Sequence, residues 1–186
     1  MHTKLIQINN PVGEKIINID EEDKSIVVEI IDFAPGSRSF FLTINLTGRG
    51  VSCEVVGCAK SFGNDKKSWF IQQYFFGENQ SGILNLRGTA GDKSFLHFEG
   101  KGVLTQGSRE VSVDIKEKIM LFDEGQGKLL PVLRVETDRV KSATHGASIA
   151  PIGMESLLYL QSRGVNPLGA KKIISDGFLQ IEKAGK

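Results

Sequence analysis

Hydrophobic residues recur along most of the chain in short runs that are separated by turns. Between residues 4 and 47 the runs are rich in β-branched and aromatic side chains, and Asn9-Asn10-Pro11 and Pro35-Gly36 interrupt them. Short runs of this composition, bounded by Gly, Pro and Asn, predict β-strands rather than helices. Similar runs continue to about residue 135, so the sequence predicts a mostly β chain.

A loose repeat runs through residues 38–121. Three similar triplets each open an apolar run, at Ser39-Phe40-Phe41, Ser68-Trp69-Phe70 and Ser94-Phe95-Leu96, with offsets of 29 and 26 residues. A second apolar run follows each triplet, and glycines lie at the junctions. A period in this range with two strands per repeat is typical of a solenoid whose coils stack on one another. An antiparallel sandwich would show the same strands without a register and stays an alternative at this point.

The pattern becomes helical near the end of the chain. Apolar residues follow helical spacing over 154–163, and Gly164 provides a natural stop. Asn166-Pro167 then predicts the cap and the first turn of a second helix. The chain therefore divides into a β core over 1–150 and a helical segment over 151–186. We expect the helices to form a lid over the open end of the solenoid, where exposed strands would otherwise pair with other chains.

Composition and charge narrow the possible functions. The chain has 186 residues, with 23 Lys and Arg against 22 Asp and Glu. No clustered basic excess favours nucleic acid as a partner. No apolar run approaches the length of a membrane span, and the N-terminal residues lack the pattern of a signal peptide. We therefore expect a cytoplasmic protein that binds no nucleic acid and has no membrane span.

Two cysteines are candidate metal ligands. Cys53 and Cys58 lie five residues apart around Gly57. An odd offset places them on opposite faces of an unbroken strand, whereas a bulge at Gly57 would bring them together. The C-x-x-C hook that zinc and cluster sites commonly use is absent. Two small buried side chains are the alternative interpretation.

His97 is a weaker candidate ligand. Because side chains alternate along a strand, Phe95, His97 and Glu99 share one face, and the apolar residues between them share the other. We therefore expect His97 to point outward, as a surface or interface residue.

The stretch from Pro131 to Phe178 carries the most specific signal in the chain. It contains, in order, Pro131-Val132-Leu133-Arg134-Val135, His145-Gly146-Ala147, the run LLYLQSRGV from Leu157 to Val165, and Ala170 through Gly177-Phe178. These four pieces, in this order and spacing, resemble the C-terminal signature of the SufB/SufD family of iron–sulfur cluster assembly proteins. The resemblance is firm over roughly residues 80–180. It implies that the core is a right-handed parallel β-helix, which decides between the solenoid and the sandwich.

The resemblance also implies a role for His145. SufD-type members carry a histidine at this motif near the subunit interface, and a neutral imidazole can ligate iron. Gly146 stands where SufB-type members have glutamate, so the chain resembles the SufD type. The cluster cysteine of the SufB type would fall near Glu117, but residues 101–186 contain no cysteine. The alternative is a structural turn in which the ring of His145 bonds to backbone carbonyls.

No nucleotide-binding motif is present in the sequence, so any ATP hydrolysis belongs to another protein. In the family, that partner is a SufC-type ABC ATPase that holds the C-terminal helices. By resemblance, the contact residues are Leu157, Leu158, Tyr159, Leu160 and Arg163. The resemblance further implies dimerisation through the β-helix, with a SufB/SufD-like paralogue or a second copy. An iron–sulfur cluster, held transiently, is the implied cofactor.

The residues and the resemblance support three hypotheses. The first is a non-catalytic assembly component that dimerises and docks an ATPase. The second is a self-contained, homodimeric metal- or cluster-binding scaffold that uses His145, with Cys53 or Cys58 contributing across the dimer. The third is a β-helix enzyme acting on polysaccharide. That function needs acids and bases clustered in one groove, and the sequence offers no convincing set.

Overall fold

A computed structural model describes residues 3–180 as twelve strands followed by two helices. The strands are β1 (Thr3–Asn9), β2 (Gly13–Ile19), β3 (Ser25–Asp32), β4 (Arg38–Leu46), β5 (Ser52–Ser61), β6 (Lys66–Phe75), β7 (Ser81–Ala90), β8 (Phe95–Leu104), β9 (Val111–Leu121), β10 (Gln126–Leu129), β11 (Val132–Val135) and β12 (Val140–Pro151). The helices are α1 (Met154–Ser162) and α2 (Pro167–Leu179).

The strands form two sheets, and every pair between described strands is parallel. Sheet A has the order β1-β3-β5-β7-β9-β12, and sheet B has the order β2-β4-β6-β8-β10, with β11 also paired to β8. Neighbours within one sheet are separated along the chain by a strand of the other sheet. The chain therefore winds as a parallel β-helix of about five turns. The predicted β-helix is confirmed, and the antiparallel sandwich is wrong.

The strand register corrects the predicted repeat. Phe40 pairs with Trp69, and Trp69 pairs with Phe98, so both offsets are 29 residues. The predicted third triplet, with its offset of 26, was wrong. Ser94 lies in the turn before β8, where its hydroxyl donates to the Ser61 carbonyl at 2.8 Å. A serine that stabilises a turn cannot be told by type from one that opens a strand.

Alternate side chains point into the lumen, the closed space between the two sheets, and form the core. Phe40, Trp69 and Phe98 are buried there in successive coils, and the rings of Trp69 and Phe98 lie 5.2 Å apart. Gly57 faces this stack, and a Cβ atom at Gly57 would lie only 2.7 Å from the Trp69 ring. The sheets can therefore enclose large aromatic rings because a glycine stands opposite them.

The turns that lead into sheet A are stacked as regularly as the strands. Equivalent positions, defined by backbone hydrogen bonds from coil to coil, all have a positive φ: Asp23, Gly50, Asn79 and Glu110. Gly, Asn and Asp adopt this left-handed conformation at low cost. Glu110, with φ of 52°, is the member of the column that does not suit it.

Helix α2 packs along the outer face of sheet A. Lys60 Nζ forms an ion pair with Asp176 Oδ1 at 2.5 Å. The Arg87 guanidinium donates to the Phe178 carbonyl at 3.2 Å and to the Gln180 carbonyl at 2.9 Å. Since the last carbonyls of a helix lack partners within the helix, these donors explain why α2 ends over β5 and β7. The expectation of a lid across the open end is therefore wrong.

The local signals that bound the helices are confirmed. Gly164 has a φ of +85° after α1. Asn166 Oδ1 accepts a hydrogen bond from the Gly169 amide at 2.7 Å, and Pro167 opens α2. Neither α1 nor α2 is long and apolar enough to cross a membrane, and no other helix is described between residues 3 and 180.

Candidate functional site

The last coil of the β-helix ends in a long strand with a free edge. Strand β12 spans twelve residues, and within the described part of the chain its one neighbour is β9. Its second edge therefore presents backbone N–H and C=O groups without a strand partner. Apolar side chains are also exposed at this end, among them Ile149 at 42% and Val135 at 48%. An open edge of this length is a template for pairing with another chain.

His145 lies in the middle of this strand. It pairs with Ile115 of β9, a core residue, so the parallel register directs the imidazole to the lumen side at the open end. His145 Nδ1 lies 3.3 Å from the Pro131 carbonyl oxygen. Because a carbonyl can only accept, this bond places a proton on Nδ1 and leaves the lone pair of Nε2 free. An exposed imidazole with a free Nε2 is suited to ligate a metal ion.

The expected turn at this motif is replaced by a regular strand. Thr144, His145 and Gly146 each have a partner in β9. The predicted alternative of a structural turn was therefore wrong in its geometry. It was right that the ring bonds to a backbone carbonyl, that of Pro131.

Glu117 lies one strand away from this motif, in β9. It is buried, at 1% exposure. Its Oε1 accepts from the Gly100 amide at 2.5 Å, and its Oε2 has no hydrogen-bond partner within residues 3–180. Burial raises the pKa of this carboxyl to about 7, although the Gly100 and Leu130 amides oppose the shift. A carboxyl in this state exchanges its proton near neutral pH.

The burial of Glu117 has a sequence signal that the analysis did not use. Val111, Val113, Ile115 and Ile119 alternate with polar residues along β9, and Glu117 occupies the same phase as these apolar residues. A charged residue at a core position of an alternating strand is uncommon and marks a site worth locating.

The structure separates the two cysteines from each other and from His145. Strand β5 runs through Gly57 without a bulge, so Cys53 faces the lumen and Cys58 faces outward. Burial raises the pKa of Cys53 to about 12 and that of Cys58 to about 11. The Cys58 thiol also donates to the Leu179 carbonyl of α2 at 3.1 Å. Three strand spacings, roughly 14 Å, separate β5 from β12 within sheet A.

His145 has no set of companion ligands in its own chain. Between residues 3 and 180, no group of three or more His, Cys, Asp or Glu side chains is close enough together to hold a metal ion. A metal site that includes His145 would need ligands from a second chain.

His97 points outward, as expected, but it is not a free surface residue. The ring of Phe70 packs edge-on against it at 5.3 Å, and only 8% of His97 is exposed. Burial lowers the pKa of His97, and the nearby Lys128 lowers it further. These contacts fit a packed histidine on the outer face of sheet B.

The two helices carry a second candidate site. We call it the helix surface, a set of apolar side chains that are each more than half exposed. They are Met154, Leu158, Tyr159, Leu168 and Ile173. So many exposed apolar groups on two short helices are typical of a surface that another protein covers.

The five predicted contact residues fall into three environments. Leu158 and Tyr159 are 59% and 60% exposed, and the Arg163 guanidinium lies over the Tyr159 ring at 5.4 Å. Leu160 is half-buried. Leu157, at 7% exposure, belongs to the packing between the helices and the core. Leu158, Tyr159 and Arg163 are therefore the three that a partner can reach.

These features define a parallel β-helix with an open, histidine-bearing end and a flanking helical segment. The family model for the SUF system FeS cluster assembly SufBD core domain matches residues 20–178. The chain belongs to this family. The match also begins well before the stretch in which the sequence motifs were firm.

Three curated relatives agree with this assignment. The chain is 27% identical over 138 residues to the iron–sulfur cluster assembly protein SufD of Bacillus subtilis, which covers 74% of the chain and 31% of the relative. It is 28% identical over 82 residues to a SufBD family protein of Synechocystis, covering 44% of the chain and 18% of the relative. It is 21% identical over 155 residues to SufD of Plasmodium falciparum, covering 82% and 10%. The chain thus spans at most about a third of the length of these relatives.

Proposed function

We propose that this chain is a non-catalytic subunit of iron–sulfur cluster assembly, with two docking surfaces. One is the β12 end, through which it pairs with a SufB/SufD-like paralogue or a second copy. The other is the helix surface, which binds a SufC-type ABC ATPase. The cluster, or its iron and sulfide, is cargo that passes through the assembly. The observation that carries this proposal is the free edge of β12, with His145 at its centre, in a chain of the SufBD family.

The β12 end has the properties of an obligate interface. Its strand edge offers unsatisfied backbone groups, and its inner face exposes Ile149 and Val135. In earlier coils the corresponding positions are covered by the next coil. Pairing with a second chain would satisfy the backbone groups and bury these side chains together.

The helix surface suits a protein partner for a different reason. Leu158 and Tyr159 are neighbours on α1, and the guanidinium of Arg163 stacks on the Tyr159 ring. Aromatic and arginine side chains with adjacent apolar groups are the residues that most often dominate binding energy at interfaces. An ATPase docked here would lie on the flank of the β-helix, away from the β12 edge.

Co-expression with an ABC ATPase of the SUF type tests the second surface. We expect the ATPase to co-purify with the wild type and to be lost with Leu158→Asp. Leu5→Asp is a matched control because Leu5 is 50% exposed on β1, at the other end of the solenoid. Retention of the ATPase by the Leu158→Asp variant would count against the helix surface.

The oligomeric state tests the first surface. We expect a dimer with a second copy, or a heterodimer when a paralogue is supplied. His145→Asp should weaken either dimer because it places a charge at the centre of the β12 end. Light scattering coupled to size exclusion measures this. A wild type that stays monomeric with and without the paralogue would refute pairing through this end.

A second candidate function is metal or cluster binding at His145. The free Nε2 of His145 favours it, and the lack of companion ligands within residues 3–180 restricts it to a site shared between two chains. Cys53 is enclosed and Cys58 lies under α2, so we assign the first role to His145. Anaerobic reconstitution with iron and sulfide should give visible absorbance that drops in His145→Ala. A colourless wild type would end this proposal.

The cytoplasmic location expected from the sequence stays a prediction. Fractionation of cells that express the full-length chain would test it.

A further inference from the structure

We infer that Glu117 is a positioning residue for His145 and that it acts through the junction between β10 and β11. The junction is formed by Leu130 and Pro131. This inference rests on the proposed function, in which His145 serves the β12 end. It adds a residue whose proton sets how the imidazole is held.

The two side chains meet successive residues of the same junction. The Pro131 carbonyl accepts the hydrogen bond from His145 Nδ1. The Leu130 amide lies close enough to the Glu117 carboxyl to influence it, while its own hydrogen bond goes to the Phe98 carbonyl at 3.0 Å. A shift of Leu130 therefore moves the acceptor on which His145 depends.

Packing alone does not call for a carboxyl at this position. The residues that precede Glu117 in its column of sheet A are Ile30, Gly57 and Leu86, and Ala147 follows it. An apolar side chain would suit such a column, whereas a buried oxygen without a hydrogen-bond partner is costly. The lumen has nevertheless been shaped to admit the carboxyl, because a Cβ atom at Gly100 would lie 2.7 Å from Oε1.

No fixed cation neutralises the carboxyl on the elements packed around it. The charged residues of those elements that lie on outer faces are Arg87 of β7, Glu99 and Lys101 of β8, Lys116 and Lys118 of β9, Lys128 of β10 and Arg134 of β11. Among these, Glu99 disfavours the ionised form of Glu117. Between residues 3 and 180, His145 is the titratable group of β12 on the inner face.

The proton on Glu117 therefore decides how the junction is held. With the proton in place, one bond from the Gly100 amide suffices for the carboxyl. When the proton leaves, the second oxygen needs a donor, and the Leu130 amide is within reach. Drawing Leu130 toward Glu117 competes with its bond to Phe98 and displaces the neighbouring Pro131 carbonyl. The Nδ1–H form of His145 then loses its acceptor.

Nitrogen NMR of histidine-labelled full-length chain tests this coupling. The chain has three histidines, and His145→Gln assigns the signals of His145. We expect the Nδ1 and Nε2 shifts of His145 to show two inflections between pH 5.5 and 8.5 in the wild type. One inflection should coincide with the carboxyl carbon signal of Glu117. Glu117→Gln should leave a single inflection and a fixed ratio of Nδ1–H to Nε2–H.

The charge of Glu117 should also be visible in the titration of His145 itself. Strand spacing and the two-residue offset place the groups about 8 Å apart, so removing the negative charge should lower the pKa of His145 by about half a unit or more. Glu54→Gln is the matched control because Glu54 is also partly buried but lies on the outer face of β5. It should leave both inflections and the pKa of His145 unchanged.

Two results would overturn the inference. One is a second inflection that persists in Glu117→Gln, and the other is a wild type with a single inflection. If Glu117→Gln does not fold, the wild type alone still decides, because the Gly100 amide, the Val132 amide and His145 must share the inflection of Glu117. The measurement needs no ATPase or metal, so its failure is distinct from failure of the proposed function.

Discussion

An ion pair lies fully inside the lumen and gives the sharpest test of the structure. Lys67 and Asp32 both have side chains at 0% exposure, and Lys67 Nζ lies 2.8 Å from Asp32 Oδ1. The Lys67 ammonium also donates to the Ala34 carbonyl at 2.7 Å. Replacing Lys67 with Met keeps the length of the side chain and removes the charge. Asp32 would then stay buried without its main counter-ion.

The expected loss of stability follows from the contacts that remain. Breaking a fully buried pair by removing one partner costs about 3–5 kcal/mol. Arg38 Nη1 stays 3.5 Å from the same oxygen of Asp32, which reduces the cost. The Ala34 carbonyl loses a donor, which adds to it. We therefore expect Lys67→Met to lower the free energy of unfolding by about 3 kcal/mol.

Lys116→Met provides a matched control with the same chemical change. Lys116 pairs with Asp114 at 2.5 Å, but these side chains are 57% and 33% exposed. A pair in that setting contributes about 0–1 kcal/mol. Urea unfolding followed by Trp69 fluorescence and by circular dichroism measures both variants, and coincident curves license a two-state treatment. If Lys67→Met costs no more than Lys116→Met, the pair is not buried as described. Adding Asp32→Asn to Lys67→Met should recover part of the loss, because it removes the stranded charge.

Two further predictions concern Glu110 and Glu117. Glu110→Gly should raise the free energy of unfolding by about 0.5 kcal/mol because it relieves the left-handed backbone, whereas Glu124→Gly, in a turn without positive φ, should lower it. Thermal unfolding checks both, and a destabilised Glu110→Gly would contradict the strain. The pKa of Glu117 is about 7 in the fold and 4.5 when exposed, so its contribution to stability is full below pH 4.5 and is lost as the pH rises through 7. The difference between wild type and Glu117→Gln should change by at most about 3 kcal/mol across that window, and a flat difference between pH 4.5 and 8 would contradict it.

The fold was predictable because its signals are local and repeated. Alternation and turn residues gave strands, and the helix caps at Gly164 and Asn166 were found where they were expected. The repeat was harder to place. A column of serines, Ser25, Ser52, Ser81, Ser112 and Ser142, pairs in register across sheet A and would have fixed the coil length. The sequence analysis followed aromatic triplets instead and shifted the third by three residues.

The candidate site was predictable only in part. The position of His145 came from the family motif, but its hydrogen bond to Pro131 depends on a junction fourteen residues earlier that only the coil brings close. Lys67 was dismissed with Lys66 as a basic pair too short to form a patch. The two lysines in fact face opposite sides of β6, one exposed and one buried. Burial of charge depends on partners such as Asp32 that are distant in sequence, so composition could not show it.

The equal spacing of the aromatic stack has a consequence for how such a core changes in length. Successive coils repeat at 29 residues from Phe40 to Trp69 to Phe98. Excising one full winding leaves each remaining side chain above an equivalent neighbour, whereas a smaller excision rotates inner residues outward. A whole winding is therefore the natural quantum by which evolution or a protein engineer can shorten or extend this scaffold.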